Sequence, residues 1–94
     1  MPTLRVQHSV PTFDDWKLAF DSDPVDRKGG GVRSYQIHRG VSDPSFVMID
    51  LEFDDVDTAE AFHDRLRQLW DGPAKAVTRD PHAWVVETVE SAEV

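Results

Sequence analysis

The residues of this chain best suited to chemistry are its four histidines and three tryptophans. His8 comes first. It stands in the run Leu4-Arg5-Val6-Gln7-His8-Ser9-Val10, where alternation puts His8 on one side with Leu4, Val6 and Val10, and Arg5, Gln7 and Ser9 on the other. A neutral imidazole on an apolar face can act as a general base near pH 7 or accept a hydrogen bond from a ligand hydroxyl. It can equally be a core residue bonded to a backbone carbonyl. Trp70 could wall a pocket for a flat molecule or plug the core, and Phe62 could shape the same pocket. Trp16 falls on an apolar helical stripe and reads as packing behind them. His63 lies beside another such stripe and reads as solvated, as do His38 and His82. No two histidines have His-x-x-x-His spacing, so a metal site would need ligands from separate strands, and none is expected. Asp50 and Glu52 share one face of a strand. They could form an acid-base pair or serve as structural partners for Arg33 and Tyr35. No nucleophile elbow supports serine hydrolysis. Gly29-Gly30-Gly31 lacks the lysine-serine or lysine-threonine pair and the following helix of a phosphate loop, and reads as a flexible turn.

These side chains need a scaffold, and the bulk composition bounds it. The 94 residues, 39% hydrophobic and 30% charged, suit one small globular domain spanning 1–94. A chain of this size has a thin core, so self-association is a cheap way to bury more surface. The net charge of −8 argues against nucleic acid and against an anionic membrane surface. The absence of cysteine excludes disulfides and thiolate chemistry and points to a cytoplasmic location. No apolar run approaches the ~20 residues that span a bilayer, and the N-terminal segment lacks a signal peptide's apolar centre.

Hydrophobic periodicity then places the elements. Thr3 to Val10 reads as a strand. Thr12 reads as the cap of a helix from about Phe13 to Asp21, with Phe13, Trp16 and Phe20 on its apolar stripe. Val32 to Arg39 and Phe46 to Phe53 read as a hairpin turning at Asp43-Pro44. Asp57, with Glu60 three residues on, reads as the cap of a second helix that buries Ala59, Phe62, Leu66 and Leu69 and stops at Asp71-Gly72-Pro73. Ala74 to Asp80 suggests a short helical turn, and His82 to Glu90 a last strand in which Trp84 packs on the sheet or meets a second copy.

The order is βαββαβ, which with right-handed crossovers gives a ferredoxin-like α+β fold. This is a four-stranded antiparallel sheet with two helices on one face and strands 1 and 3 at the centre. The other face would carry Phe46 and Met48, joined by Ile37 or Tyr35. Leaving that patch open is costly, and packing two sheets across a two-fold axis covers it. The hairpin register stays open. One setting brings Arg33 beside Glu52 and Tyr35 beside Asp50, and a one-residue slip puts Ser34, Gln36 and His38 there instead.

The segments VQHSVPTFDDWKLAFD, GVRSYQIHRGVSDPS, LEFDD and DTAEAFHDRL resemble the antibiotic biosynthesis monooxygenase-like group of the dimeric α/β-barrel superfamily, and within it an actinobacterial-type branch. The matching positions are His8, Phe13, Trp16, Lys17, Arg39, Asp43, Pro44, Ala59 and Phe62, and the resemblance covers about residues 4 to 90. It implies a ferredoxin-like chain dimerising as an α/β barrel. It also implies a pocket between helices and sheet, using a polar strand-1 residue and a tryptophan on or near helix 2, positions that His8 and Trp70 resemble. Superfamily activities include cofactor-free oxidation of aromatic polyketides, haem degradation, polyketide cyclisation and lactone isomerisation. The haem-degrading members carry a histidine late in helix 2 or just after it. This chain has Asp71-Gly72-Pro73-Ala74-Lys75 there, which speaks against haem, and no cofactor is expected. Many members have a histidine early in helix 2; His63 is near that position, and its role stays open.

The combined expectation is a homodimeric protein binding a flat aromatic or hydrophobic small molecule. His8 would be the base, with Trp70, Phe62, Trp16 and His63 as ligand contacts. The activity would be a cofactor-independent monooxygenation, or a cyclisation or isomerisation. The alternative is a non-catalytic ligand-binding or structural homodimer.

Overall fold

A computed structural model describes residues 1–72 and 74–94. The elements run β1 (Pro2–Ser9), α1 (Phe13–Asp21), β2 (Ser34–Arg39), β3 (Phe46–Glu52), α2 (Val56–Asp71) and β4 (Arg79–Glu87). The strands form one antiparallel sheet in the order β2-β3-β1-β4. This is the ferredoxin-like arrangement expected from the βαββαβ order, with the most apolar strands in the middle. Leu4 and Val6 of β1, and Val47, Ile49 and Leu51 of β3, are buried against Trp16 of α1 and Ala59 and Phe62 of α2. Phe53, just past β3, is fully buried and meets Phe62 at a tilt, with centroids 5.5 Å apart.

Local chemistry sets the helix starts. The cap of α2 is Asp55, not Asp57: Asp55 has extended backbone, and its carboxylate accepts the Thr58 N–H at 2.7 Å. That hydrogen bond holds the Asp55 carboxyl below its usual range, and Asp57 instead lies in the first turn. Thr12 occupies the cap position of α1, but its hydroxyl makes no capping bond; its carbonyl receives Trp16 N–H at 3.1 Å. Pro73, expected to help stop α2, lies outside the described residues.

The structure decides one open point and changes two further expectations. The hairpin takes the second register, pairing Ser34 with Glu52, Gln36 with Asp50 and His38 with Met48. Tyr35 and Ile37 therefore sit opposite Leu51 and Ile49, on the helix side and not on the open face; one residue of slip moves every side chain across the sheet. Tyr35 meets Phe20 of α1, 5.2 Å between centroids. β4 begins at Arg79, three residues before His82, because the pairing with β1 continues past Pro81 through a bulge.

The triple glycine is a packing surface, not a loose turn. The segment from Asp23 to Val32 bonds to itself, with Gly30 N–H to Asp26 C=O at 2.8 Å and Val32 N–H to Arg27 C=O at 3.0 Å. A Cβ on Gly30 would stand 2.6 Å from the Phe62 ring, and one on Gly31, whose φ is +93°, would stand 2.4 Å from Thr58 Cγ2. Glycine is what lets this loop lie directly on α2. Arg65 of α2 also donates to the Val25 carbonyl.

Candidate active site

A cavity of about 80 Å³ lies between the sheet and the two helices. Its floor is Val6, His8, Ile49 and Leu51 of the central strands. Trp16 and Phe20 of α1 form one wall, and Phe62, Leu66 and Trp70 of α2 another. The loop after α1 closes one side with Val25 and Arg27, and Val77 and Thr78 close another.

His8 is the one ring nitrogen-bearing group on that floor, and it is 3% exposed. The β1–β4 register shifts between Gln7, paired with His82, and Ser9, paired with Arg79. Asp80 and Pro81 thus lie across from His8 alone, and Asp80 adopts a left-handed φ of +52°. Bulges of this kind commonly re-aim a side chain beside a functional site. His8 Nδ1 lies 3.3 Å from the Ser9 carbonyl. Bonded that way, Nδ1 carries the proton and Nε2 presents its lone pair. No fully buried side-chain nitrogen or oxygen among the described residues lacks a partner. Nε2 has no hydrogen-bond partner there and is not fully sealed by its neighbours. Burial lowers the His8 pKa below the ordinary histidine value, opposed in part by the Ser9 carbonyl, so the ring is neutral at pH 7.

The aromatic residues hold the imidazole in place. Trp16 meets the His8 ring edge-on at 5.5 Å, and Phe20 lies 5.2 Å from Trp16 one helical turn on. A neutral base in an apolar chamber can take a proton from an acidic O–H or C–H of a bound molecule, since desolvation strengthens each polar contact made there.

The structure thus brings His8, Trp16, Phe62 and Trp70 to one cavity. His63 stands apart. It faces the other side of Trp70, at 6.4 Å between centroids, in a shallow surface cleft with Arg67 and His82. Burial, and then the nearby Arg67, lower its pKa. Asp50 and Glu52 lie on the opposite sheet face: Asp50 receives two hydrogen bonds from Arg5, and Glu52 one from Thr3. Among the described residues, no group of three histidine or acidic side chains converges to hold a metal ion. No helix there is long and apolar enough to cross a membrane.

Two lining residues escaped sequence reasoning. Thr78 is buried and donates to the Ala74 carbonyl at 2.8 Å. Arg27 places its guanidinium 4.0 Å over the Phe20 ring and donates to the Phe20 carbonyl at 2.6 Å. No local pattern marks Arg27; the left-handed Asp23 (φ 55°) after α1 turns the chain so that Arg27 meets Phe20.

No protein-family model and no curated protein matches the sequence. Solved structures do match the fold. A candidate antibiotic biosynthesis monooxygenase from Bordetella bronchiseptica aligns at TM-score 0.75 with 12% identity, over 95% of this chain and 97% of that one. A dimeric ferredoxin-like protein from an uncultured marine organism aligns at TM-score 0.66 with 18% identity, over 97% of each chain. A structure named antibiotic biosynthesis monooxygenase aligns at TM-score 0.65 with 15% identity, over 96% of this chain and all of the other. At such identities the likeness establishes a shared ferredoxin-like fold over nearly the full length of each chain.

Proposed function

We propose that this chain is a homodimeric small-molecule-binding protein whose cavity takes a flat hydrophobic ligand bearing an acidic hydroxyl, and that His8 accepts that proton. The observation that carries the reading is the placing of His8: buried on the floor of an apolar cavity, with Nδ1 against a backbone carbonyl and Nε2 without a hydrogen-bond partner among the described residues. Trp70, Phe62 and Trp16 would hold the ring of the ligand. Proton transfer from the ligand to Nε2 leaves an electron-rich anion. That anion can react with dioxygen, or cyclise or isomerise, without a resident cofactor. The names of the structures sharing this fold agree with oxygen chemistry of that kind.

The test is a thermal-shift screen of phenols, lactones and haem on the wild type and on His8→Ala. A ligand that binds only the folded state raises the melting temperature by mass action. A shift with one chemical class that vanishes in His8→Ala supports the reading. No shift with any class, with a variant that merely melts earlier, overturns it.

The size of the cavity favours a second reading. At about 80 Å³ it falls well below the ~300 Å³ at the small end of ligand pockets. A structural homodimer whose cavity is filled by its own side chains would look the same, and the failed screen is its signature. Both readings share the dimer, formed by the sheet face that carries Phe46, Met48 and the half-exposed Trp84. Sedimentation at micromolar concentration should give twice the 10.7 kDa of one chain; a monomer would exclude this assembly.

A further inference from the structure

We infer that Arg27 is an anion subsite of the same cavity, and that the ligand is a single-ring phenol carrying a carboxylate, of the hydroxybenzoate class. This deepens the proposed function and rests on His8 being the hydroxyl partner.

Three observations support it. The first is the setting of the guanidinium. The Arg27 side chain is only 17% exposed in a chain of net charge −8. It is held mostly by uncharged groups: the Phe20 ring at 4.0 Å, the Tyr35 ring at 5.2 Å and the Phe20 carbonyl. Among the described residues the one carboxylate paired with it is Asp23, 3.5 Å from Nε, itself 37% exposed and also engaged by the Arg27 backbone N–H at 2.9 Å. Nη1 goes to the Phe20 carbonyl, and Nη2 has no hydrogen-bond partner among the described residues. A partly buried guanidinium with a spare donor, shared between this cavity and the surface cleft beside Arg33 and Tyr35, is suited to a carboxylate, because charge-assisted hydrogen bonds are the strong ones.

The second observation is alignment. His8, Trp16, Phe20 and Arg27 form a continuous run of ring contacts at 5.5, 5.2 and 4.0 Å. Trp16 and Phe20 are one turn apart, about 6 Å along the α1 axis. An acceptor at one end of this run and a cation at the other are the two partners a para-substituted ring needs, its hydroxyl toward Nε2 and its carboxylate toward Nη2. The third is volume. An apolar cavity of ~150 Å³ takes one benzene ring. A chamber of about 80 Å³ is roughly half that, so it must open to admit even one substituted ring, and a fused polycyclic ligand is disfavoured.

Calorimetric titration with 4-hydroxybenzoate, phenol, benzoate and 6-hydroxy-2-naphthoate tests this on the wild type, Arg27→Gln, Arg27→Lys and Asp23→Asn. The wild type should bind 4-hydroxybenzoate at least about tenfold tighter than phenol or the naphthoate. Arg27→Gln should bring the hydroxybenzoate-to-phenol ratio near one, and Arg27→Lys should restore part of it. Asp23→Asn keeps the oxygen that receives the Arg27 N–H and tolerates left-handed backbone, yet removes the competing charge; it should raise the ratio. A role for Arg27 in cementing the loop alone would change stability and leave the ratio untouched in all three variants. Phenol bound as tightly as 4-hydroxybenzoate, or a ratio indifferent to Arg27→Gln, overturns the anion subsite. If phenol binding is nevertheless lost in His8→Ala, the proposed function survives that failure. Absence of binding by every ligand overturns both.

Discussion

The two faces of β1 handle polarity in opposite ways. On the outer face, Arg5 donates twice to Asp50, and Thr3 donates to Glu52 at 2.7 Å, so both groups meet a complement across the strand pair. On the inner face, Leu4, Val6 and Val10 are buried with His8, and among the described residues no charged side chain bonds to the imidazole. The outer face is what a sheet surface needs in order to be wet or to meet another polar surface. The inner face tolerates one titratable group at a cost, since burial disfavours its charged form. On the proposed reading, the ligand is what keeps this polar group among apolar neighbours.

The contrast depends on the inner face being a packed core, and the largest expected effect probes that. Phe53 is fully buried against Phe62. Phe53→Ala should cost about 3–5 kcal/mol in urea unfolding, the range for deleting a buried ring. A loss under about 1 kcal/mol would mean that the core collapses easily around the cavity, and the inner face could not hold His8 rigidly.

The loop that closes the cavity gives the next effect. Gly31→Ala must fit a Cβ 2.4 Å from Thr58 Cγ2 at a φ of +93°. Strain of this kind costs about 1–3 kcal/mol. Because the loop lies on α2 and carries Arg27, the variant should also alter ligand affinity. An unchanged urea midpoint would show that the loop is not docked on the helix, and the inner face would then be open to water on that side.

Much of this architecture is legible in the sequence because it follows from period and punctuation. Alternation in Leu4-Val6-His8-Val10 and in Val47-Ile49-Leu51-Phe53 gives the central strands and the side on which His8 lies. The 3.6-residue stripes give both helices and their buried Trp16, Ala59 and Phe62. What escapes is whatever depends on pairing at a distance. Both hairpin registers satisfy the local pattern, and only the fit of Tyr35 against Phe20 and of Ile37 against Ile49 selects one. The docking of Gly30 and Gly31 on α2 depends on surfaces thirty residues away in sequence. Arg27 resembles any loop arginine until the left-handed turn at Asp23 brings it over Phe20. The β4 bulge is hidden because Pro81 looks like a strand stop, whereas here it lies inside the strand.

The third prediction sharpens the contrast through pH. Burial lowers the folded-state pKa of His8, so the unfolded chain takes a proton first as pH falls below about 6.5. The penalty is absent above that pH and grows below it. The stability of the wild type relative to His8→Gln should therefore be constant near pH 7.5 and decline toward pH 5, read from urea midpoints at the two pH values. His63, whose pKa is also lowered, is present in both proteins and cancels from the difference. A flat difference would place His8 in water and erase the distinction between the faces.

The smallest effect is on the outer face and reports what that face touches. A double-mutant cycle on Arg5 and Asp50 measures their coupling free of other losses. In an isolated chain the Arg5 side chain is 47% exposed and Asp50 14% exposed, so screening holds the coupling to about 0.2–1 kcal/mol and salt should reduce it. In a dimer packed through this face both groups lose water, and removing one partner would leave the other charge buried, a penalty of about 3–5 kcal/mol. Measured on dilute monomer and on concentrated protein, the cycle should therefore give a small, salt-sensitive value at low concentration and a larger, salt-resistant one on association. A small value at both concentrations would mean that the outer face stays wet, and that this sheet meets any second copy by another surface.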